Sequence, residues 1–216
     1  MLSAETLSGI IVIIAGYLLG SFPSAYLVTR LVKGQDIRRL GGGNVGGLNT
    51  FREVGVLPAL VVALIDVGKG AAVVALAHWT LDLPQPWVLA AALAAVAGHN
   101  WMVWLKFHGG KGAGTTIGAL SVLLPLYGYW PGLVIFLTVV IIPLAITRNI
   151  SLAIGAGLVS LPFIAWLGMG SGMLVIWSIM LGLIAMLKFY PTARQAWAKT
   201  DNTRGFIFDR WHRGER

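Results

Sequence analysis

Residues 56–79 read VLPALVVALIDVGKGAAVVALAHW and carry only two charges, Asp66 and Lys69. A helix of about 20 apolar residues crosses the hydrocarbon core of a bilayer, so this run predicts a membrane-spanning helix. Ionisable groups inside a bilayer are costly and usually face the protein interior or a wet cavity. Asp66 and Lys69 are three residues apart and share one helix face. They either neutralise each other structurally, or Lys69 extends toward a binding site.

Similar apolar runs recur along the whole chain, which is 57% hydrophobic and 11% charged. Such a composition lies outside the range of soluble domains. The sequence therefore predicts an all-α, polytopic membrane protein in which a single domain covers 1–216 and ends in a basic cytoplasmic tail, 190–216. We expect seven transmembrane helices, at 7–29, 56–79, 87–105, 115–129, 131–147, 151–169 and 172–188.

The basic residues predict the orientation of these spans. If the N-terminus lies outside, all 16 lysines and arginines except Lys69 fall in cytoplasmic loops or the tail, as the positive-inside rule requires. The net charge of +8 then reflects orientation and attraction to anionic membrane lipids, or a subset (Arg52, Lys111 and Arg38) binds an anionic substrate. Nucleic acid is not expected as a partner, because the cations do not form one stripe.

A first glycine-rich loop, 40–52, reads LGGGNVGGLNTFR. Asn44 and Asn49 offer amide donors, and glycines such as Gly43 and Gly46 permit close backbone approach to a ligand. Arg52 can bind a phosphate through two N–H groups. The loop is thus predicted to bind phosphate, although a flexible loop with an exposed arginine is the alternative.

A second glycine-rich loop, 106–112, reads KFHGGKG and precedes Thr115-Thr116, where we expect a helix to begin. A helix N-terminus beside a lysine is a natural anion site, which makes Gly109, Gly110, Lys111 and Gly112 candidate phosphate ligands. The spacing is not that of a Walker A loop. A purely structural turn remains the alternative.

Two further polar residues are candidates. His99, inside the third predicted span, is either a buried hydrogen-bonded histidine or a general base. Ser151, at the opening of the sixth span, either caps that helix or joins the site. No second histidine or carboxylate stands at metal-ligand spacing, and the chain has no cysteine, so we expect neither a metal nor another cofactor.

Five motifs in fixed order carry a family resemblance. They are Gly20-Ser21-Phe22-Pro23-Ser24, the asparagine loop, Asp66-x-x-Lys69-Gly70, Gly98-His99 leading to Gly109-Gly110-Lys111-Gly112, and Arg148-x-x-Ser151-Leu152. In these the chain resembles the bacterial acyl-phosphate:glycerol-3-phosphate acyltransferases, the PlsY family. Members are seven-span inner-membrane enzymes that transfer a fatty acyl group from acyl phosphate to glycerol 3-phosphate, giving lysophosphatidic acid without a metal or an acyl-enzyme.

The resemblance implies both substrates and a location. Acyl phosphate and glycerol 3-phosphate would be the partners, at an active site facing the cytoplasm from the bacterial plasma (inner) membrane, and we expect a monomer. The implied catalytic residues are Asn44, Asn49, Arg52 and Lys111. The implied substrate-binding residues are Gly43, Gly46, Arg52, Lys69, His99, Gly109, Gly110, Lys111, Gly112 and Ser151.

The chain also departs from the family pattern at positions near this site. A serine and a threonine of the family loop are replaced by Gly42 and Leu48, and a lysine before the second glycine pair by His108. Tyr190 and Ala193 stand where a histidine and an asparagine usually follow the last span. These losses leave open a non-catalytic or redirected relative that binds acyl phosphate or phospholipid.

Overall fold

The computed structural model describes residues 3–198, with the backbone alone at 191–193 and 195–198. This part of the chain contains helices and no strand, so the predicted all-α class is confirmed. The α-helices are α1 (Ala4–Gly20), α2 (Ser24–Lys33), α3 (Gly47–Glu53), α4 (Val56–Ala75), α5 (Gln85–Asn100), α6 (Ala113–Leu126), α7 (Trp130–Thr147), α8 (Ile150–Phe163) and α9 (Gly172–Ala198).

Six apolar helical segments of the described chain have the length to span a bilayer. They are Ala4–Lys33, Val56–Thr80, Gln85–Leu105, Trp130–Thr147, Ile150–Gly168 and Gly172–Tyr190. The predicted fourth span, 115–129, corresponds to α6, which is apolar but has only 14 residues. At a rise of 1.5 Å per residue it is about 21 Å long, less than the roughly 30 Å hydrocarbon core. Each of the seven predicted spans thus coincides with helix, and one is short for a full crossing.

The first predicted span is not one helix. We expected continuous helix over 7–29, but α1 ends at Gly20 and α2 begins at Ser24. Pro23 occupies the N-cap of α2, and a proline inside a helix removes a backbone donor and clashes with the preceding turn. Two side-chain hydrogen bonds connect this break to α5 and α4. Ser21 Oγ donates to the Gly98 carbonyl (3.3 Å), and Lys69 Nζ donates to the Phe22 carbonyl (3.2 Å).

The last helix extends further than predicted. We expected the seventh span to end at 188, whereas α9 continues to Ala198, so the first part of the predicted tail is helical. Residues 199–216 lie outside the described part of the chain. The basic cytoplasmic tail therefore stays a prediction.

The chain forms two compact units, one over Met1–Leu126 and one over Tyr127–Arg216. In the first, α1 packs on α5 and α4 packs on α6, and both glycine-rich loops belong to this unit. In the second, α8 packs on α7 and α9. The single domain expected over 1–216 stays a prediction.

Glycines let the helices of the first unit approach closely. A methyl group added at Gly70 of α4 would overlap the carbonyl oxygen of Thr115, and one at Gly118 of α6 would overlap that of Val67. Small residues at such crossings allow backbone-to-backbone packing in membrane proteins. A Cβ at Gly114 would also lie 2.9 Å from Asp66 Cβ. The start of α6, directly after the second loop, is thereby held against the charged pair of α4.

This packing predicts that the same substitution has different effects at two glycines of α4. Gly70→Ala is expected to lower the apparent unfolding midpoint in detergent, because overpacking costs about 1–3 kcal/mol. Gly68→Ala is the matched control, since no atom lies within 4 Å of a Cβ there and alanine favours helix by about 1 kcal/mol. Equal midpoints for the two variants would contradict the packing described for α4 and α6.

Candidate active site

The first loop is closed on itself by Asn49. Asn49 is buried near the start of α3, and its Nδ2 donates to the Leu40 carbonyl (3.0 Å) while its Oδ1 accepts from the Gly42 N–H (3.3 Å). Next to these anchors Gly41 and Gly43 have φ values of +51° and +68°, in the left-handed region that only glycine adopts freely. The asparagine and the glycines together fix the shape of the loop.

Asn44 and Arg52 lie at opposite ends of α3. Asn44 is partly buried just before the helix, and a Cβ at Gly46 would lie 3.2 Å from its Nδ2. Gly46 is the N-cap, so the amides of the first turn begin beside this asparagine. Arg52 is exposed in the last turn.

Arg38, considered as a third anion-binding cation, is committed to other partners. Its guanidinium pairs with Asp36 at 2.6 Å and lies 5.5 Å from the centre of the Tyr26 ring. The hydrogen bond from Arg38 holds the pKa of the Asp36 carboxyl below its usual value. Arg38 therefore stabilises the 3₁₀ turn Ile37–Arg39 that precedes the loop.

The second loop lies against the C-terminal end of α5. The Gly110 N–H donates to the His99 carbonyl (2.9 Å). A Cβ at Gly109 would overlap that same oxygen, and one at Gly110 would overlap Nε2 of the His99 ring. Gly112 has a φ of +77°. The glycines are therefore required by close approach, and α6 begins directly after them at Ala113, two residues earlier than we expected.

The structure brings the two loops together. A Cβ at Gly110 would lie 2.6 Å from the carbonyl oxygen of Val45, which belongs to the first loop and is buried. Across this junction the cations also interact: burial, and then the charge of Arg52, lower the pKa of Lys111. Like charges held near each other disfavour ionisation, and a bound anion would relieve that repulsion.

The lowered pKa of Lys111 predicts a pH dependence. As pH rises, Lys111 loses its proton earlier than an ordinary lysine, so affinity for inorganic phosphate should already fall at pH values below the ordinary lysine pKa of about 10.4. Arginine keeps its charge throughout this range. Titrating phosphate affinity at several pH values should therefore show the alkaline decline moved upward in Lys111→Arg. A decline at the same pH in parent and variant would mean that another group causes it.

A buried cluster of polar side chains lies next to the second loop. Its members are Ser24, Asp66, Lys69 and His99, which are 1%, 4%, 8% and 3% exposed. Asp66 Oδ1 accepts from Ser24 Oγ (2.7 Å), pairs with Lys69 Nζ (2.9 Å) and lies 3.5 Å from His99 Nδ1. Lys69 thus holds Asp66 and the break between α1 and α2, which favours the structural interpretation of this ion pair. The cluster also includes His99.

Ser151 does not cap its helix. The N-cap of α8 is Asn149, whose Oδ1 accepts from the N–H groups of Ser151 and Leu152 at 3.1 Å each. Because α8 begins at Ile150, the capping interpretation of Ser151 was wrong by two positions. Ser151 belongs to the second compact unit, and its place in the site stays a prediction.

The positions that depart from the family pattern have varied surroundings. Gly42 has no atom within 4 Å of where a Cβ would stand. Leu48 is partly buried on α3, and His108 is exposed with its Nδ1 3.0 Å from the Lys106 carbonyl oxygen. Tyr190 is exposed on α9, whereas the side chain of Ala193 lies outside the described residues.

Sequence reasoning missed Ser24 and Val45 as parts of this region. Ser24 was noticed only as the end of a motif, yet its hydroxyl donates to the Asp66 carboxylate. Pro23 inside an apolar run was the available signal, because it predicts a helix break that exposes neighbouring polar groups. Val45 offered no such signal, since an apolar residue in a glycine loop does not show which backbone its carbonyl will meet.

The fold and the site define a polytopic helical membrane protein whose two glycine-rich loops bring cations together. The family model described as Glycerol-3-phosphate acyltransferase matches residues 10–199. The chain belongs to this family, and it is a membrane acyltransferase.

Relatives and solved structures agree with that assignment. Glycerol-3-phosphate acyltransferase 1 of Dehalococcoides mccartyi is 49% identical over 204 residues, covering 94% of this chain and 98% of the relative. Glycerol-3-phosphate acyltransferase 2 of Dehalococcoides mccartyi is 39% identical, covering 86% of each chain. The crystal structure of PlsY (YgiH) in its glycerol 3-phosphate form superposes with a TM-score of 0.79 at 25% identity, covering 88% of this chain and 92% of that one.

Proposed function

We propose that this protein transfers a fatty acyl group from acyl phosphate to glycerol 3-phosphate, producing lysophosphatidic acid and inorganic phosphate. The observation that carries the proposal is the junction of the two glycine-rich loops, where Gly110 lies against the Val45 carbonyl, in a chain of the glycerol-3-phosphate acyltransferase family. The charge of Arg52, which follows the first loop, also lowers the pKa of Lys111 in the second. Both substrates are phosphate esters or anhydrides. Paired cations with close backbone access suit such groups.

The cations and glycines have distinct roles in this proposal. Arg52 binds a phosphate through two N–H groups, and Lys111 contributes a compact charge beside the start of α6. Gly43 and Gly46 of the first loop admit the substrate close to the backbone. Gly109, Gly110 and Gly112 let the second loop pack closely on α5, and this packing holds Lys111 in place for the phosphate.

The reaction needs no protein nucleophile. The acceptor hydroxyl attacks the acyl carbonyl carbon, the bond from that carbon to the phosphate oxygen breaks, and inorganic phosphate leaves with the bond's electron pair. The hydroxyl proton passes to a phosphate oxygen, so atoms and charges balance. His99 is a poor candidate for this proton, because it is 3% exposed and its ring is enclosed by Asp66 and Gly110.

The two asparagines of the first loop have different proposed roles. Asn49 uses both ends of its amide to hold the first loop, so we assign it a positioning role rather than direct contact with the acyl group. Asn44, partly buried beside the N-cap of α3, is the amide that would donate to the developing oxyanion. Such a donor is typically worth about 3–4 kcal/mol in the transition state.

Location and assembly follow the same reasoning. The loops carry the cations that the positive-inside rule assigns to the cytoplasm, so the active site faces the cytoplasm from the plasma membrane of a bacterium. We propose a monomer, since the chain supplies both loops itself.

A redirected or non-catalytic relative is the second candidate, and Gly42 and Leu48 are the observation that favours it. Two hydroxyls of the family loop are absent at these positions. Open space around a Cβ at Gly42 leaves room for a different acceptor. Such a protein would bind acyl phosphate or phospholipid through the same cations, without turnover of glycerol 3-phosphate.

Phosphate release from palmitoyl phosphate by the purified protein separates the two candidates. Release that depends on glycerol 3-phosphate and is lost in Arg52→Ala supports the acyltransferase. Arg39→Ala is the matched control, because Arg39 is also exposed but precedes the loop. Binding of palmitoyl phosphate by folded protein without acceptor-dependent release would instead support the relative.

A further inference from the structure

The imidazole of His99 lies between a carboxylate and the second glycine loop. Its Nδ1 is 3.5 Å from Asp66 Oδ1. Its Nε2 edge faces Gly110 so closely that no Cβ fits there, while the His99 carbonyl accepts the Gly110 N–H at 2.9 Å. Ring and backbone of one residue thus contact the same glycine, which directly precedes Lys111.

Asp66 is itself held from several helices. Ser24 Oγ at the start of α2 donates to Asp66 Oδ1 (2.7 Å), and Lys69 of α4 pairs with the same oxygen (2.9 Å). Gly114 of α6 lies against Asp66 Cβ. A buried carboxylate with two such partners has one low-energy arrangement, and it gives the His99 ring a fixed neighbour.

The loop needs support of this kind, because Gly109, Gly110 and Gly112 have no side chains to hold it. Glycine loses more conformational freedom on ordering than any other residue, so neighbouring groups must fix the backbone. We infer that Asp66 and His99 are positioning residues, through which the buried cluster sets the place of Gly110 and hence of the Lys111 ammonium. The kinetic part of this inference rests on the proposed function.

Three variants of the full-length protein test the inference. The amide of glutamine reaches about as far as Nε2 of histidine, whereas that of asparagine reaches only as far as Nδ1. His99→Gln therefore keeps a group against Gly110, and His99→Asn leaves a gap there. Asp66→Asn keeps the shape of the carboxylate and removes its charge.

Steady-state kinetics in detergent give the first readout. We expect His99→Asn and Asp66→Asn to raise KM for glycerol 3-phosphate by about 10-fold with kcat within about 3-fold of the parent, the pattern of weakened substrate binding. His99→Gln should stay within about 3-fold of the parent in both constants. A kcat loss of about 100-fold in both His99 variants at unchanged KM would make His99 a proton acceptor and overturn the inference.

Hydrogen exchange gives the second readout, which does not require turnover. Peptides covering 105–116 should exchange faster in His99→Asn and Asp66→Asn than in the parent, while peptides from α1 keep their rates. Unchanged exchange in this segment would overturn the inference, because the loop would then be held without the cluster. Faster exchange along the whole chain would do so too, as the cluster would then stabilise the fold in general.

These measurements distinguish failure of the proposed function from failure of the positioning inference. If the parent makes no lysophosphatidic acid, the acyltransferase proposal fails, and the exchange rates together with affinity for inorganic phosphate still decide the inference. Weaker phosphate binding with faster loop exchange would support it, and parent-like values would contradict it. If His99→Asn does not elute as folded protein, Asp66→Asn against His99→Gln is the deciding comparison.

Discussion

Replacing Lys111 with methionine is expected to lower kcat/KM for glycerol 3-phosphate by about 100- to 1,000-fold. Methionine is unbranched and only one atom shorter than lysine, and it removes the charge. Loss of one electrostatic contact to a transition state typically costs about 2.7–4 kcal/mol. The effect should be large because Lys111 is partly buried, where solvent screens its charge less than at the surface. Phosphate release at varied acceptor concentrations measures it.

Lys106→Met is the matched control for that prediction. Lys106 is exposed at the start of the same segment, so its replacement changes the net charge equally without touching the loop junction. We expect its kcat/KM to stay within about 3-fold of the parent. Similar losses for the two variants would mean that overall charge, and not the position of Lys111, controls the reaction.

Replacing Gly110 with alanine is expected to reduce kcat/KM for glycerol 3-phosphate by at least about 100-fold. The new methyl group would collide with the His99 ring and would stand 2.6 Å from the Val45 carbonyl oxygen, so the loop must move. A displacement of about 1 Å at a reacting centre can cost about 100-fold in rate. The variant should also unfold at a lower temperature, since overpacking costs about 1–3 kcal/mol.

Gly42→Ala is the steric control for the stability part of this prediction. It adds the same methyl group to the other glycine-rich loop, where no atom lies within 4 Å of the new Cβ. Its unfolding midpoint should therefore match that of the parent. A Gly110→Ala variant as stable and as active as the parent would contradict the packing of the second loop on α5.

Membrane spans and the close approach of the glycine-rich loops could be predicted because each follows from a local physical requirement. The bilayer fixes the length of an apolar run, which located every helix from α4 to α9 to within a few residues at its start. Glycines beside Arg52 and Lys111 indicated close backbone approach, and the two loops do meet; that they bind an anion stays a prediction. Asp66 and Lys69 were expected to share a helix face, and they form an ion pair.

Other features could not be predicted. They depend on contacts between residues that are distant in sequence, or on which of two neighbouring residues caps a helix. The break at Pro23 is completed by Lys69, far along the chain. Asn49 bonds to its own loop rather than facing outward, which composition alone does not reveal. At the start of α8, Asn149 and Ser151 are both acceptable caps by residue type, and only the position at which the helix begins decides between them.

Transfer of the acyl group to glycerol 3-phosphate can be followed with an isotopic label. The purified protein would receive palmitoyl phosphate with a ¹³C-labelled acyl chain and glycerol 3-phosphate, and mass spectrometry would quantify labelled lysophosphatidic acid beside released phosphate. We expect equal amounts of the two products from the parent, and at least about 100-fold less of each from Arg52→Ala or Lys111→Met over the same initial period. Phosphate release without labelled lysophosphatidic acid, or no product from protein shown to be folded, would contradict the proposed acyl transfer.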